Sequence, residues 1–464
     1  MTRIIIDSLA YGVKLPRGLS SGVMFAFKFA VRTASGKAGI CAMKFVLASY
    51  GTRGDIEPCV AVGRELLRRG HDVQMAVPPD LVGFAKSAGL AAVAYGPQLQ
   101  EILDVHREFW TRFFRNFWKI RELIKLWRET WEPATKHWGQ MSATLTSLTD
   151  EADVLFTGLS YQEVAANVAE HHDIPLVTLH YFPIRANGEL LASLPAPLAR
   201  SAMTVYEWLA WRTSKKLDDA QRRELGLPKA TSTSPRRIAD RRSLELQAYD
   251  EVCFPGLAAE WARWNGQRPF VGALTMELTT DADDEVASWI AAGTPPIFFG
   301  FGSIPVASPA ETVAMIDAAC AQLGERALIG SGSSDFSHVA TSEHVKVVGA
   351  VNYSTIFPPC RAVVHHGGAG TTAAGLRAGV PTLILSTDLD QTLWGSRVKR
   401  LKVGTARRLS TTTRESLVVD LRTILAPQYV TRARELATQM TKSVESISTA
   451  ADLVEDFARA RHAG

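Results

Sequence analysis

Lys44-Phe-Val-Leu-Ala-Ser-Tyr-Gly-Thr-Arg-Gly-Asp-Ile-Glu-Pro58 is the stretch on which the fold turns. Lys44–Ser49 is a short β-rich run, and Gly51-Thr-Arg-Gly54 ends it. Pro58 sits where a first helical turn is expected, apolar positions recur from Val60 to Leu67, and Gly70 closes the helix. Asp72–Val77 reads as the next strand, and Pro78-Pro79-Asp80 opens another helix. Strand, helix, strand, helix marks a parallel, doubly wound α/β sheet.

The pattern resumes at Asp153–Thr157 (strand), Gln162–His171 (helix) and Pro175–Thr178 (strand). In the second half Pro296–Gly300, Ala327–Ile329, Val345–Val348, Ala362–His365 and Thr382–Leu385 are apolar strand candidates. Helical stretches such as Glu311–Leu323 and Thr371–Ala378 separate them. Two α/β halves therefore meet near Pro255–Pro269, as a chain of 464 residues requires more than one ordinary core. The expected division is an extension at 1–42, a first domain at 43–260, a second at 261–445, and a final helix within 446–464 that returns to the first domain.

Composition narrows the class. Hydrophobic residues make up 46% and charged residues 21%, ordinary for a globular chain. A net charge of +4 is too small and too dispersed for a nucleic-acid protein. The five cysteines, Cys41, Cys59, Cys253, Cys320 and Cys360, form no CxxC pair, so no zinc site or disulfide framework is expected and a reduced cytoplasm is the natural compartment. Residues 1–42 contain Gly22–Val31, too short and too interrupted to span a bilayer. They read as an appendage to a domain that begins afresh at Met43, with a membrane-touching arm as the alternative.

Phe113, Phe117, Ile120, Ile124, Trp127 and Trp131 step by three and four residues along one helical stripe, with arginines, lysines, Phe114 and Trp118 off it. A helix packed on its own sheet with a solvated basic face explains the stripe. A basic, aromatic surface in peripheral contact with the inner face of a membrane explains the stray aromatics.

Two motifs carry chemistry. Gly51-Thr-Arg-Gly54-Asp55 lies at a strand-to-helix turn, and in an open α/β sheet ligands sit beyond the carboxyl ends of the strands. The glycine spacing departs from a dinucleotide fingerprint, and the second strand ends Val77-Pro78-Pro79 rather than in an acid. Asp55 thus points a carboxylate into the crevice, or serves as a helix cap. Val364-His365-His366-Gly367-Gly368-Ala369-Gly370-Thr371-Thr372, followed by Asp390-Gln391, also joins a strand to a helix. Exposed backbone N–H groups and a helix N-terminus hold a diphosphate, with His366 and threonine hydroxyls as further donors. A tight helix start with buried histidines is the packing alternative.

His365–Val398 resembles the donor-binding signature of family 1 glycosyltransferases, which ends in an Asp-Gln pair. Phe299-Gly-Phe-Gly302-Ser303 resembles that family's first donor-domain loop, and the similarity runs from Met43 to the C-terminus. The resemblance implies a GT-B fold, two Rossmann-like domains facing across a cleft. It assigns Ser303, His366, Gly368, Gly370 and Thr371 to the diphosphate and Asp390 and Gln391 to the sugar hydroxyls. Most members carry a histidine base in the first loop. Asp55 instead resembles the antibiotic, sterol and lipid subgroup that uses an aspartate there. Thr178-Leu-His-Tyr-Phe-Pro-Ile-Arg-Ala-Asn187 is similar to mycobacterial glycopeptidolipid glycosyltransferases, which move deoxyhexoses onto a lipopeptide, and this makes His180 and Arg53 acceptor-side candidates, with a satisfied buried histidine as the equal alternative for His180.

The expected reaction is inverting transfer of a hexose from a UDP- or dTDP-sugar to a hydroxyl of a hydrophobic acceptor. The nucleotide-sugar is a co-substrate, and no cofactor or metal is expected. The strings Asp281-Ala-Asp283 and Asp388-Leu-Asp390 lack the strand context of a Mn²⁺ site. Sterol, macrolide or polyketide acceptors, a sugar-nucleotide epimerase of the same architecture, and an inactive sugar-nucleotide binder are the alternatives.

Overall fold

The computed structural model describes residues 42–99, 136–191, 194–264, 266–302, 306, 308–332, 334, 336, 339 and 341–462. The aromatic stripe at 113–131, the extension up to residue 41, and Ser303 lie outside the described residues. Lys44–Gly464 forms one compact unit. It contains two parallel six-stranded sheets.

The first sheet comprises β1 (Lys44–Ala48), β2 (Asp72–Val77), β3 (Ala91–Ala94), β4 (Val154–Thr157), β5 (Leu176–His180) and β6 (Leu244–Gln247), in the order β3-β2-β1-β4-β5-β6. The second comprises β7 (Ile297–Gly300), β8 (Ala327–Gly330), β9 (Val345–Val348), β10 (Ala362–His365), β11 (Thr382–Ser386) and β12 (Gly404–Arg408), in the order β12-β11-β10-β7-β8-β9. Each half thus repeats the dinucleotide-fold order 3-2-1-4-5-6. Central strands are buried on both faces because helices cover both, and Phe45–Ala48 is accordingly an unbroken apolar run with every side chain buried.

Strand order reverses beside β1 in the first sheet and beside β7 in the second. β1 pairs with β2 on one side and β4 on the other, and β7 pairs with β8 and β10. The crevices therefore open at the carboxyl ends of β1/β4 and β7/β10, where both chemical motifs lie.

Helix α1 (Arg53–Arg68) follows β1. It starts five residues before the expected Pro58, because Thr52 and Asp55 form a reciprocal capping box that fixes the first turn. Further helices relevant to the site are α2 (Gln162–His171), α3 (Ala196–Glu224), α4 (Pro309–Leu323), α5 (Ala369–Ala378), α6 (Leu389–Leu401) and α7 (Ser443–His462).

Three strands escape the periodicity argument. β3 is alanine-rich, short and largely exposed at a sheet edge, and β12 is a half-buried edge strand carrying arginines. β6 reads Leu-Glu-Leu-Gln, an alternation that suggests one solvated face, yet all four residues are buried. Burial is possible because Glu245 is held between Arg185 and Arg268, the latter at 2.9 Å.

The halves share material. Cys253, Phe254, Leu257 and Trp261 pack in one core with Ile384 of β11 and with Trp394 and Val398 of α6, so the segment after β6 packs against the second half before the chain enters it. Helix α7 packs back on α1. Arg69 reaches Asp452 at 2.6 Å and Glu455 at 3.3 Å, and buried His71 meets Glu455 at 3.0 Å. The outgoing segment and this return run side by side: Thr275 Oγ1 lies 3.1 Å from Ser443 Oγ, and Arg377 donates to Thr441 O, Thr275 Oγ1 and Ala273 O at 2.7, 2.8 and 2.6 Å.

Candidate active site

Asp55 occupies the third position of α1. Its Oδ2 accepts the Thr52 backbone N–H at 2.6 Å and the Thr52 hydroxyl at 3.0 Å. Its Oδ1 accepts the Tyr181 hydroxyl, which is delivered from the residue just after β5. Capping and cleft-facing roles therefore coexist in one side chain, one oxygen each. Gly51, at φ +143°, makes room: a Cβ there would stand 2.3 Å from Asp55 Oδ2. Burial raises the Asp55 pKa, the Tyr181 hydrogen bond opposes that rise, and the charge of Asp390 adds to it. Asp390 belongs to the other half, so its influence marks the two motifs as facing one another.

In the second half, β10 delivers two histidines to different places. His365 is fully buried, its Nδ1 accepting the Gly367 N–H at 3.0 Å. His366 lines the cleft, and its Nδ1 is buried without a hydrogen-bond partner among the described residues. The ring fits because its neighbours lack side chains: a Cβ on Gly302 would lie 2.5 Å from His366 Cε1, and one on Gly368 2.5 Å from Nε2. Burial lowers the His366 pKa and Asp390 partly offsets it, leaving a neutral imidazole able to donate one hydrogen bond.

Gly368 caps α5, and Gly370 and Thr371 line the cleft in its first turn. Thr372 turns away and is spent within its own helix, its hydroxyl donating to Gly368 O at 2.9 Å. Asp390 lies in the first turn of α6 and also lines the cleft.

Two of the expected residues sit deeper than the others. Gln391 borders the cleft but is 4% exposed, its Oε1 accepting from Thr387 N at 2.9 Å and one Nε2 N–H donating to Asp388 at 2.7 Å. It braces the loop that presents Asp390. His180 is fully buried between Thr178 and Gln247, each 3.3 Å away, and burial pushes its pKa well down. Side chains alternate at the end of β5, so the neighbouring Tyr181 takes the cleft-facing position expected of His180. Arg53 does line the cleft, paired with Glu57 at 3.2 Å and lying over the Phe84 ring.

The cleft encloses ≈ 3560 Å³. Single small-molecule pockets span roughly 300–1,000 Å³, so this one has room for two reactants. Trp138, Tyr161, Phe182, Met203, Tyr206 and Trp211 give its first-half wall an apolar character.

The chain's relatives share this arrangement of halves. Residues 45–146 match the glycosyltransferase family 28 N-terminal domain, and residues 328–456 match the erythromycin biosynthesis protein CIII-like C-terminal domain. An uncharacterized glycosyltransferase of Mycobacterium tuberculosis is 63% identical over 90% of this chain and 99% of its own length. The chain belongs to the family 1 glycosyltransferases.

A sterol 3-beta-glucosyltransferase of Arabidopsis thaliana is 27% identical to this glycosyltransferase over 88% of the chain and 67% of the plant protein. Among solved structures, the kitacinnamycin glycosyltransferase superposes with a TM-score of 0.65 at 17% identity, over 90% of this chain and 99% of that one. The spinosyn rhamnosyltransferase complexed with thymidine diphosphate superposes at 0.61 and 16% identity, over 88% and 99%. These likenesses show that the glycosyltransferase has the GT-B fold.

Sequence reasoning missed Tyr181 and Asp388. Asp388 caps α6, and burial together with the adjacent Asp390 charge raises its pKa to about 9. Beside Asp390 its carboxyl holds a proton more firmly than an isolated aspartate does, so the Asp388-Leu-Asp390 string presents less negative charge than its sequence suggests. In the other Asp-x-Asp string, Asp283 is occupied with Thr280 and with the Asn352 N–H at 2.8 Å. The position of Tyr181, directly after an apolar strand and at the same sheet end as Asp55, was the signal available for it.

Proposed function

We propose that this glycosyltransferase moves a hexose or deoxyhexose from a UDP- or dTDP-sugar to a hydroxyl of a hydrophobic acceptor, with inversion at the anomeric carbon. The supporting observation is that Asp55 from one half and His366, Gly370, Thr371 and Asp390 from the other line the same cleft.

Asp55 is the general base in this reading. Its Oδ1 takes the acceptor proton, since Oδ2 is tied to the first turn of α1, and the Tyr181 hydroxyl now marks the place where an acceptor hydroxyl would donate. Such a base contributes roughly 10²–10⁴-fold. The departing diphosphate gains negative charge at the N-terminus of α5, where the free first-turn N–H groups and the His366 ring stabilise it, each preorganised donor being worth roughly 10²–10³ in rate. Asp390 orients the sugar hydroxyls, and Gln391 holds Asp390's loop. These fixed dipoles do the work with no metal.

A dTDP-linked donor is favoured by the thymidine diphosphate complex of the spinosyn rhamnosyltransferase. The apolar first-half wall favours a lipidic acceptor such as a lipopeptide on the way to a glycopeptidolipid. The Arabidopsis relative supports the second reading, a sterol or comparable polycyclic acceptor.

The test is a mass-spectrometric screen of the protein with UDP- and dTDP-sugars, deglycosylated lipopeptide extract and sterols. Asp55→Asn is expected to abolish transfer while keeping donor affinity, and His366→Ala to weaken donor binding. Transfer retained by Asp55→Asn refutes the base assignment, and an isomerised sugar formed without acceptor refutes the reaction class.

A further inference from the structure

Helix α3 is apolar on two opposite sides at once. Its inner side buries Ala199, Met203 and Trp211, the latter two lining the cleft. The opposite side leaves Leu198, Val205, Trp208 and Leu209 exposed by 58%, 56%, 49% and 52%. At ~100° per residue, these four fall with Arg212 and Lys216 in one sector of about 120°. A surface helix ordinarily turns its polar side to water, and a helix apolar all round is ordinarily enclosed. Here the outward side is apolar for three turns and closes in cations.

Its charge is of one sign. Arg212 lies over the Trp208 ring at 5.6 Å, and Lys216 is exposed one turn further on. Between Leu198 and Lys216 the sequence has one acid, Glu207. It points the other way, lining the cleft and accepting the Ala186 N–H at 3.0 Å.

We infer that this face of α3 docks on an anionic lipid bilayer. The apolar side chains enter the acyl boundary while Arg212 and Lys216 extend along it to the headgroups. A second copy of the chain is the poorer partner, because an antiparallel two-fold pairing of this stripe sets Arg212 and Lys216 against the other copy's apolar end, with no acid on either face to meet them. Among the described residues no helix is long and apolar enough to cross a membrane, so the contact is lateral. The docking stands on the helix alone. Joined to the proposed function, it sets the membrane beside the cleft, which Arg212 and Lys216 also border, a short path for a lipid-borne acceptor.

The test is sedimentation of the full chain with phosphatidylglycerol/phosphatidylcholine vesicles and with phosphatidylcholine vesicles. The positions are exposed and none lines the cleft apart from Arg212 and Lys216, so Val205→Glu with Leu209→Glu is expected to melt like the wild type. The wild type should sediment with the anionic vesicles, and that double variant about tenfold or more weakly. Arg212→Gln with Lys216→Gln should bind anionic vesicles about 30-fold more weakly. Failure of the wild type to sediment overturns the inference, as does undiminished sedimentation of Val205→Glu/Leu209→Glu. Concentration-dependent dimers that this double variant abolishes, without vesicle binding, would assign the face to a second copy instead.

Discussion

Adding one methyl group at Gly51 should disable the chemistry without touching the donor site. A Cβ there would stand 2.3 Å from Asp55 Oδ2, 2.5 Å from Cγ and 2.7 Å from Cβ. Ordinary carbon contacts need ~3.5–4.0 Å, so the carboxylate must retreat by roughly 1 Å. It cannot do so and keep its bonds to Thr52 at 2.6 and 3.0 Å. Loss of that cap costs about 1 kcal/mol, and an alanine at φ +143° adds roughly 1–3 kcal/mol of backbone strain. Misplacing a reacting group by about 1 Å lowers rates ~10²-fold. Gly51→Ala is therefore expected to lower kcat/KM about 100-fold. Its affinity for dTDP, measured by calorimetry, should stay at the wild-type value, because the proposed diphosphate site lies in the other half. Wild-type kcat/KM in a folded variant, or a parallel loss of nucleotide affinity, would refute the reasoning.

Tyr181→Phe removes a hydrogen bond to the Asp55 carboxylate and leaves the ring. The groups acting on Asp55 are Tyr181 and Thr52 in its own half and Asp390 across the cleft, while Asp388 and Cys59 feel its charge in turn. A base works deprotonated, so activity falls as pH drops through its pKa. Loss of the bond that holds this pKa down should move the acidic limb of kcat/KM up by about one pH unit. An unmoved limb in an active variant would show that the phenol does not stabilise the carboxylate. Glu245→Gln leaves Arg185 and Arg268 without their buried counter-charge and should destabilise the protein by about 3–5 kcal/mol in chemical denaturation. Burial alone would raise the Glu245 pKa, yet the two guanidiniums outweigh it and bring it to about 2. The stability it supplies is therefore present above the ordinary glutamate range and is lost as pH falls towards 2. A denaturation midpoint unchanged at pH 7 would rule this out.

The parts of this molecule that were legible in its sequence are those where local pattern and burial agree. Phe45–Ala48 and Ala362–Val364 are apolar because they lie in central strands, and the glycines after them lie where the backbone turns from strand towards helix. β6 was opaque because its polar residues are buried in a tertiary ion network no local window contains. The choice between His180 and Tyr181 depends on which way a strand's last residue faces, a matter of one-residue phase. The packing of Gln391 was opaque for a related reason: its amide bonds to groups four and three residues away, which only the closed loop brings together.

The chain passes from one half to the other at Ala273–Met276, and passes back at Thr441–Ser443, with Arg377 clasping both passages. One guanidinium thus holds both passages, so a displacement of either is felt by the other and the connection between the halves behaves as a single joint rather than two.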